Sequence, residues 1–120
     1  EMGAIPVVSP ITCNNEGQLL NTNADSLASA IAVGMSGMYD VELVFCFEKK
    51  GVLLNPDDDD SVIGHLDSAG YENFKKDGVV SGGMIPKLDG AFDALAKGVR
   101  SVRITNAVTL DGNSGTTISL

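Results

Sequence analysis

Apolar residues along the chain follow strand spacing and helix spacing in turn. Residues 41–47 form a nearly unbroken apolar run, which is typical of a parallel strand covered on both faces. Residues 99–105 alternate apolar and polar side chains and predict another strand, and residues 116–120 predict the last one. Because strands alternate with helices, we expect an α/β fold with a mainly parallel open sheet.

Three stretches predict the helices. Residues 27–35 combine small side chains with spaced apolar ones, so this helix can pack close to a sheet. Residues 67–77 predict a modest second helix, which Gly78 would end. A third helix ahead of Gly98 has its apolar positions at helical spacing, at Leu88, Ala91, Phe92, Leu95 and Ala96.

The remaining segments predict a small β-hairpin and connections. Residues 5–11 predict a first strand, and residues 18–21 would return as the second arm after a turn. Residues 62–63 predict a brief extended piece, and residues 111–115 predict a short turn before the last strand.

Length and charge narrow the class of protein. At 120 residues the chain is a single domain, residues 1–120, and is long enough to bury a core. The formal net charge of −8, without a basic stripe, disfavours a nucleic-acid partner. No window approaches membrane-spanning length and the start lacks a signal-peptide layout, so we expect a cytoplasmic protein with no membrane partner.

Reactive side chains give little support for a hydrolase. Cys13 and Cys46 lie far apart, so we expect no disulfide and no zinc site, and Cys46 is expected to be a buried thiol. The lone His65 is interpreted as an unbonded surface histidine. Four aspartates at 57–60 predict a solvated acidic loop; a divalent-cation site there is the less favoured alternative, because adjacent like charges repel.

Residues 81–87, Ser-Gly-Gly-Met-Ile-Pro-Lys, have the pattern of an anion site. Glycines at 82 and 83 let backbone N–H groups approach an oxyanion, and the following helix directs its positive dipole end at the same place. Pro86 suits the first turn of that helix, and Lys87 adds an ammonium group. The alternative is that the glycines only form a turn and that Lys87 is a solvated surface lysine.

Two polar clusters accompany this stretch. Asn21, Asn23 and Asp25 alternate ahead of the first helix, where either of the last two could cap it, although all three could also point into one space. Glu48 opens a polar cluster after the run 41–47, and open α/β sheets bind ligands at the carboxyl ends of their strands. A lysine and an aspartate without a nucleophile favour phosphoryl transfer, in which a protein mainly positions substrates and stabilises charge.

Five motifs in order resemble those of the acetylglutamate kinases, members of the amino acid kinase family. They are Pro-Val-Val-Ser-Pro-Ile at 6–11, Glu-Gly-Gln-Leu-Leu-Asn-Thr-Asn-Ala-Asp at 16–25, Gly-Val-Leu at 51–53, Gly-Gly-Met-Ile-Pro-Lys at 82–87 and Gly-Thr-Thr-Ile at 115–118. The resemblance implies an αβα sandwich of the carbamate kinase-like type. It also implies ATP-dependent phosphorylation of the side-chain carboxylate of N-acetyl-L-glutamate or another N-acylglutamate, a step of arginine biosynthesis, with Mg²⁺.

The resemblance also implies roles for particular residues. Lys87 would stabilise the transferring phosphoryl group, Asp25 would orient the lysines of the site, and Asn21 and Asn23 would bind the acyl amino acid. The nucleotide would be bound by Glu48, Gly51, Gly82, Gly83, Met84 and Lys87. No residue is assigned to a metal. The family forms dimers or larger assemblies, so a homo-oligomer is expected.

The sequence departs from the family pattern in two respects. Phe47-Glu48 stands where such kinases usually carry Thr-Asp, which affects the adenosine contacts. The resemblance covers only the carboxyl-terminal, nucleotide-binding half of the family, without the early Lys-x-Gly-Gly segment. We therefore expect a half-enzyme that is inactive alone. The alternatives are another amino acid kinase and a non-catalytic regulatory domain such as the kinase-like part of an acetylglutamate synthase.

Overall fold

A computed structural model describes residues 3–110, 112 and 114–120. The elements in chain order are β1 (Ile11–Cys13), β2 (Leu19–Asn21), α1 (Ala24–Ser36), β3 (Glu42–Phe47), β4 (His65–Leu66), α2 (Ser68–Lys76), α3 (Met84–Ala96), β5 (Ser101–Asn106) and β6 (Thr116–Ile118). The predicted turn at 111–115 lies partly outside the described residues.

The main sheet formed by the described residues has its strands in the order β3-β5-β6-β4. Strand β3 runs parallel to β5, with Leu43 opposite Val102, and β4 runs parallel to β6. Strands β5 and β6 are antiparallel, with Ile104 opposite Thr116. The α/β class with a mainly parallel sheet is therefore confirmed.

The helices pack on one face of this sheet. Side chains of that face and of the helices form a single buried core, which includes Leu43, Phe45, Leu66, Tyr71, Leu88, Ala91, Val102, Ile104 and Ile118. Successive side chains of a strand point to opposite faces of the sheet, so the strand residues next to these core residues point to the opposite face. The described residues therefore supply the sheet and one helical layer of an αβα sandwich.

The opposite face of β3 corrects two sequence-based expectations. Glu42 and Cys46 are exposed, so this strand is covered on one face only by the described residues, and Cys46 is not a buried thiol. A long apolar run shows that a strand is hydrophobic, but it does not show which elements cover each face.

The N-terminal strand was predicted too long. Strand β1 begins only at Ile11. Residues 3–10 form no strand, and the apolar Val7 among them is 94% exposed. A strand needs a hydrogen-bonded neighbour, and Pro6 and Pro10 have no N–H to donate. The hairpin itself is confirmed, because β1 pairs antiparallel with β2 through the register Ile11 to Asn21.

Local capping explains where the first two helices begin. The side chain of Asn23 accepts a hydrogen bond of 3.0 Å from the backbone N–H of Ser26 and caps α1. Asp67 does the same for α2 through the N–H of Gly70 at 2.7 Å. No helix in the described part of the chain is long and apolar enough to cross a membrane.

Candidate functional site

Lys87 and Asp25 form an ion pair between the first turns of α3 and α1. The Nζ atom of Lys87 lies 2.6 Å from Oδ2 of Asp25, although the two residues are 62 positions apart in the sequence. Their side chains are only 30% and 34% exposed, respectively. Because solvent screens a partly buried pair less than an exposed one, this pair holds the ammonium group firmly in place.

The ring of Phe47, at the carboxyl end of β3, provides a second contact for the same ammonium group. The Nζ atom of Lys87 lies 4.2 Å from the centre of this ring. The face of an aromatic ring is electron-rich and attracts a cation. Three separate elements, α1, α3 and β3, therefore fix the position of one positive charge.

The glycines ahead of α3 leave open space beside this charge. Gly82 has a φ of +56°, which favours glycine, and an added Cβ at Gly82 or Gly83 would meet no atom within 4 Å. Within residues 3–110, the N–H groups of these two glycines have no hydrogen-bond acceptor. The positive end of α3 thus presents unused donors on an accessible surface, as an anion-binding turn requires.

A cavity of about 710 Å³ runs between α1 and α3. Its lining at one end includes Asn23, Gly83 and the Lys87–Asp25 pair, and its lining at the other includes Gly34 and Lys97. The first turns of α1 and α3 meet at the Lys87–Asp25 pair. At the other end, a Cβ at Gly98, just after α3, would lie 3.5 Å from Oγ of Ser36, the last residue of α1. The two helices therefore lie side by side and parallel. The cavity is large enough for a small organic substrate.

A second cavity, of about 210 Å³, lies on the other side of the glycine turn. Ser81 and Met84 form part of its wall, and the rest is mostly apolar: Val52, Leu53, Pro56, Val79 and Val80, with Gly51 and Lys49. Gly82 and Gly83 therefore lie between two cavities, one apolar and one that contains the lysine–aspartate pair.

Packing explains the glycine at position 51. A Cβ there would lie 2.7 Å from Oγ1 of Thr116 and 2.9 Å from Cγ1 of Val62. The same Thr116 hydroxyl, which is fully buried, accepts a hydrogen bond of 2.8 Å from the N–H of Val52. Gly51 thus brings the loop after β3 close to β6 and shapes the second cavity.

The structure brings most of the candidate residues together, but not all. Lys87, Asp25, Asn23 and Gly83 line the larger cavity, and Gly51 and Met84 line the smaller one. Glu48, Asn21 and Gly82 are exposed and line neither of these cavities of the described chain. The oxygen of Asn23 is engaged in capping α1, so its amide group is oriented by the helix.

Sequence reasoning missed two residues near the site. Phe47 was noted only as a departure from a family pattern, and its contact with Lys87 was not foreseen. Lys49 lines the smaller cavity; it belongs to the segment 48–51 that the family resemblance places beside the nucleotide, but it was given no role of its own. No local signal marks either residue, because an aromatic ring in an apolar strand and a lysine after it are both ordinary.

The single histidine was interpreted incorrectly. His65 is exposed, but its Nε2 atom lies 3.1 Å from the hydroxyl oxygen of Ser119, so it is not unbonded. The acidic loop at 57–60 is exposed as expected, and two of its carboxylates pair with Lys49 and Lys50. Among the described residues, no group of three or more His, Cys, Asp or Glu side chains could hold a metal ion.

Comparison with known proteins decides the family. The sequence model of the amino acid kinase family matches residues 1–106. The chain belongs to the amino acid kinase family.

Curated relatives within this family carry a more specific name. The chain is 49% identical over 116 residues to an acetylglutamate kinase of Bacteroides thetaiotaomicron. The match covers 97% of this chain but 45% of that relative. The chain thus spans less than half the length of the relatives that it matches.

Solved structures confirm the fold. A protein of Streptococcus mutans UA159 is 34% identical, with a TM-score of 0.71 over 92% of this chain and 40% of its own. An N-acetylglutamate synthase of Neisseria gonorrhoeae, complexed with coenzyme A and N-acetyl-glutamate, has a TM-score of 0.75 over 92% of this chain and 26% of its own. At 20% identity, the second likeness shows the fold alone.

Proposed function

We propose that this chain is the nucleotide-binding half of an acylglutamate kinase. Such an enzyme transfers the terminal phosphoryl group of ATP to the side-chain carboxylate of N-acetyl-L-glutamate or another N-acylglutamate. The observation that carries the proposal is the Lys87–Asp25 pair beside the open Gly82–Gly83 turn. The relatives named acetylglutamate kinase support the choice of reaction.

The smaller cavity and the glycine turn suggest how the nucleotide lies. The apolar walls of that cavity suit a flat base, and Met84 and Gly51 border it. The phosphate chain then passes over Gly82 and Gly83, whose free N–H groups donate to its oxygens. Lys87 lies beyond this turn, so its ammonium group faces the terminal phosphate.

Charge on the moving group explains the role of Lys87. A carboxylate oxygen of the acceptor attacks the terminal phosphorus, the bond to the bridging oxygen breaks, and ADP leaves with that electron pair. The transferring group carries negative charge on its oxygens throughout, and a fixed ammonium stabilises it without reorganising. Asp25 positions Lys87, and Asn23 with Asn21 would bind the acyl amino acid from the adjoining side.

The residues present are compatible with Mg²⁺ that arrives with the nucleotide. Mg²⁺ usually keeps several waters and binds through substrate phosphates with one or two carboxylates. The described residues hold no preformed cluster of three ligands, and Asp25 is engaged with Lys87. When bound, the ion would neutralise phosphate charge.

A regulatory domain of an acetylglutamate synthase is not proposed, because the likeness to a synthase structure shows only the fold. That domain would not transfer a phosphoryl group. A coupled assay for ADP release with N-acetyl-L-glutamate, using the protein that contains this chain, distinguishes the two functions.

Titration with MgATP tests the phosphate role of Lys87. The variant Lys87→Met keeps the side-chain stem but removes the charge. We expect at least about tenfold weaker binding, because a hydrogen bond to a charged group contributes about 1.5–3 kcal/mol. Competition against a fluorescent nucleotide measures the affinity.

Lys97→Met provides the matched control. Lys97 lines the same cavity and forms an ion pair with Asp93 at 2.7 Å, but it lies about three helical turns from Lys87. We expect its MgATP affinity to stay within twofold of the unaltered protein. Equal affinities for both variants, in samples with unchanged circular dichroism, would contradict the proposed site.

A further inference from the structure

Lys49 lies in the wall of the smaller cavity. It is the one charged residue among those that line this cavity in the described chain, and the other lining residues are apolar or small apart from Ser81. Lysine carries a compact charge on a flexible four-carbon stem, so its ammonium group can move without disturbing the backbone. A mobile charge at the edge of an apolar cavity suits a ligand that is flat at one end and anionic at the other.

In the structure, Asp59 of the acidic loop holds this ammonium group. The Nζ atom of Lys49 lies 2.6 Å from Oδ1 of Asp59, and the side chains are 49% and 65% exposed. The hydrogen bond to Asp59 raises the pKa of Lys49, and the same bond lowers the pKa of Asp59. Both groups are therefore charged at neutral pH, but an exposed pair of this kind contributes little to stability and exchanges readily.

We propose that Lys49 exchanges Asp59 for the phosphate chain of the bound nucleotide and so acts as a second cationic contact beside Lys87. The inference rests on the proposed nucleotide binding. Ser81 and Met84, which flank the glycine turn, line the same cavity as Lys49. A phosphate chain that leaves this cavity over Gly82 and Gly83 would therefore start from a cavity whose wall includes Lys49.

Phosphate is a stronger partner for Lys49 than a single carboxylate. A nucleoside diphosphate carries more negative charge than Asp59, and charge-assisted hydrogen bonds to phosphate are among the stronger ones. Asp59 would then act as a competitor that holds the ammonium group until a nucleotide arrives. Removing the competitor should strengthen binding, whereas removing the lysine should weaken it.

The chain offers a matched control in the next residue. Lys50 pairs with Asp60 at 3.2 Å, and this pair is also exposed. Lys50 is not among the residues that line either cavity in the described part of the chain. The two lysines therefore share charge, loop and type of partner, and they differ in access to the cavity.

Isothermal titration of the purified protein with ADP and with adenosine tests the proposal. We expect Lys49→Met to weaken ADP binding about tenfold and to leave adenosine binding unchanged, because only ADP has a phosphate chain. Lys50→Met should bind ADP within twofold of the unaltered protein. Asp59→Asn should bind ADP about threefold more tightly, and Asp60→Asn should not.

The outcomes separate this inference from the function on which it rests. If the unaltered protein binds no ADP, the proposed nucleotide site itself is wrong. If ADP binds but Lys49→Met and Lys50→Met behave alike, the phosphate contact of Lys49 is wrong and the proposed function stands. If Lys49→Met weakens adenosine and ADP binding equally, the phosphate contact of Lys49 is also wrong. Asp59→Asn tests the exchange of partners without altering the lysine.

Discussion

The two ends of the α1–α3 cavity each contain a lysine–aspartate pair, and the two pairs differ in construction. Lys87 and Asp25 come from different helices and lie 2.6 Å apart, with the ring of Phe47 against the ammonium group. Lys97 directly follows α3 and pairs at 2.7 Å with Asp93, one turn earlier, and the two side chains are 57% and 58% exposed. The nitrogen–oxygen distances are nearly equal, so distance does not distinguish the two pairs.

Their surroundings do distinguish them. A pair within one helix forms whenever the helix forms, and it contributes about 0.3–0.5 kcal/mol. A pair between two helices requires the whole fold, and the fold in turn fixes where its charge lies. Only the second kind provides the positioned ammonium group that phosphoryl transfer requires.

The largest effect is expected for Asp25→Asn. The change keeps the shape of the side chain but removes the charge that positions Lys87. We expect kcat for acylglutamate phosphorylation by the protein that contains this chain to fall about 100-fold, since a misplacement of about 1 Å can cost that much. Steady-state kinetics should show a much smaller change in the KM for MgATP, because Asp25 does not contact the nucleotide in this proposal. A higher KM for MgATP with an unchanged kcat would instead assign Asp25 to nucleotide binding.

An intermediate effect is expected for Phe47→Leu. Leucine keeps an apolar side chain at the end of β3 but removes the aromatic face from beneath Lys87. A cation–π contact contributes about 0.5–1 kcal/mol at exposed sites and more when desolvated, so kcat should fall about three- to tenfold. Phe47→Tyr keeps the ring and should restore activity. If tyrosine and leucine behave alike, the ring does not position the lysine.

The smallest effect is expected at the other end of the cavity. The double variant Asp93→Asn, Lys97→Met removes the pair at the end of α3 and keeps the approximate size of both side chains. We expect the free energy of unfolding to change by at most about 0.5 kcal/mol, with no effect on nucleotide affinity. Urea denaturation followed by circular dichroism measures the first quantity. A loss comparable to that of Asp25→Asn would remove the distinction between the two ends.

Features that depend on neighbouring residues could be predicted from the sequence. The spacing of apolar side chains located the three helices. As expected, α2 begins after Asp67 and ends before Gly78. The motif at residues 82–87 correctly indicated an accessible glycine turn at the start of a helix. These features involve contacts within a few residues, so a local pattern contains the necessary information.

Features that depend on distant neighbours could not be predicted in this way. Residues 5–10 have the composition of a strand but form none in the structure, because pairing requires a partner that composition does not specify. Cys46 lies in an apolar run yet is exposed, because the helices of the described residues pack only on the other face of β3.

The sequence by itself determined the three helices and most of the strands, although it did not predict β4 at His65–Leu66. It also identified Lys87, Asp25 and the glycine turn as candidates, because periodicity, capping and motif are properties of short segments. Only the tertiary structure decided that Lys87 lies between Asp25 and the ring of Phe47, and that Lys49 lines a cavity while Lys50 does not. Packing of α1 and α3 on the same face of the sheet brings together residues 62 positions apart, and no short segment of the chain encodes that contact.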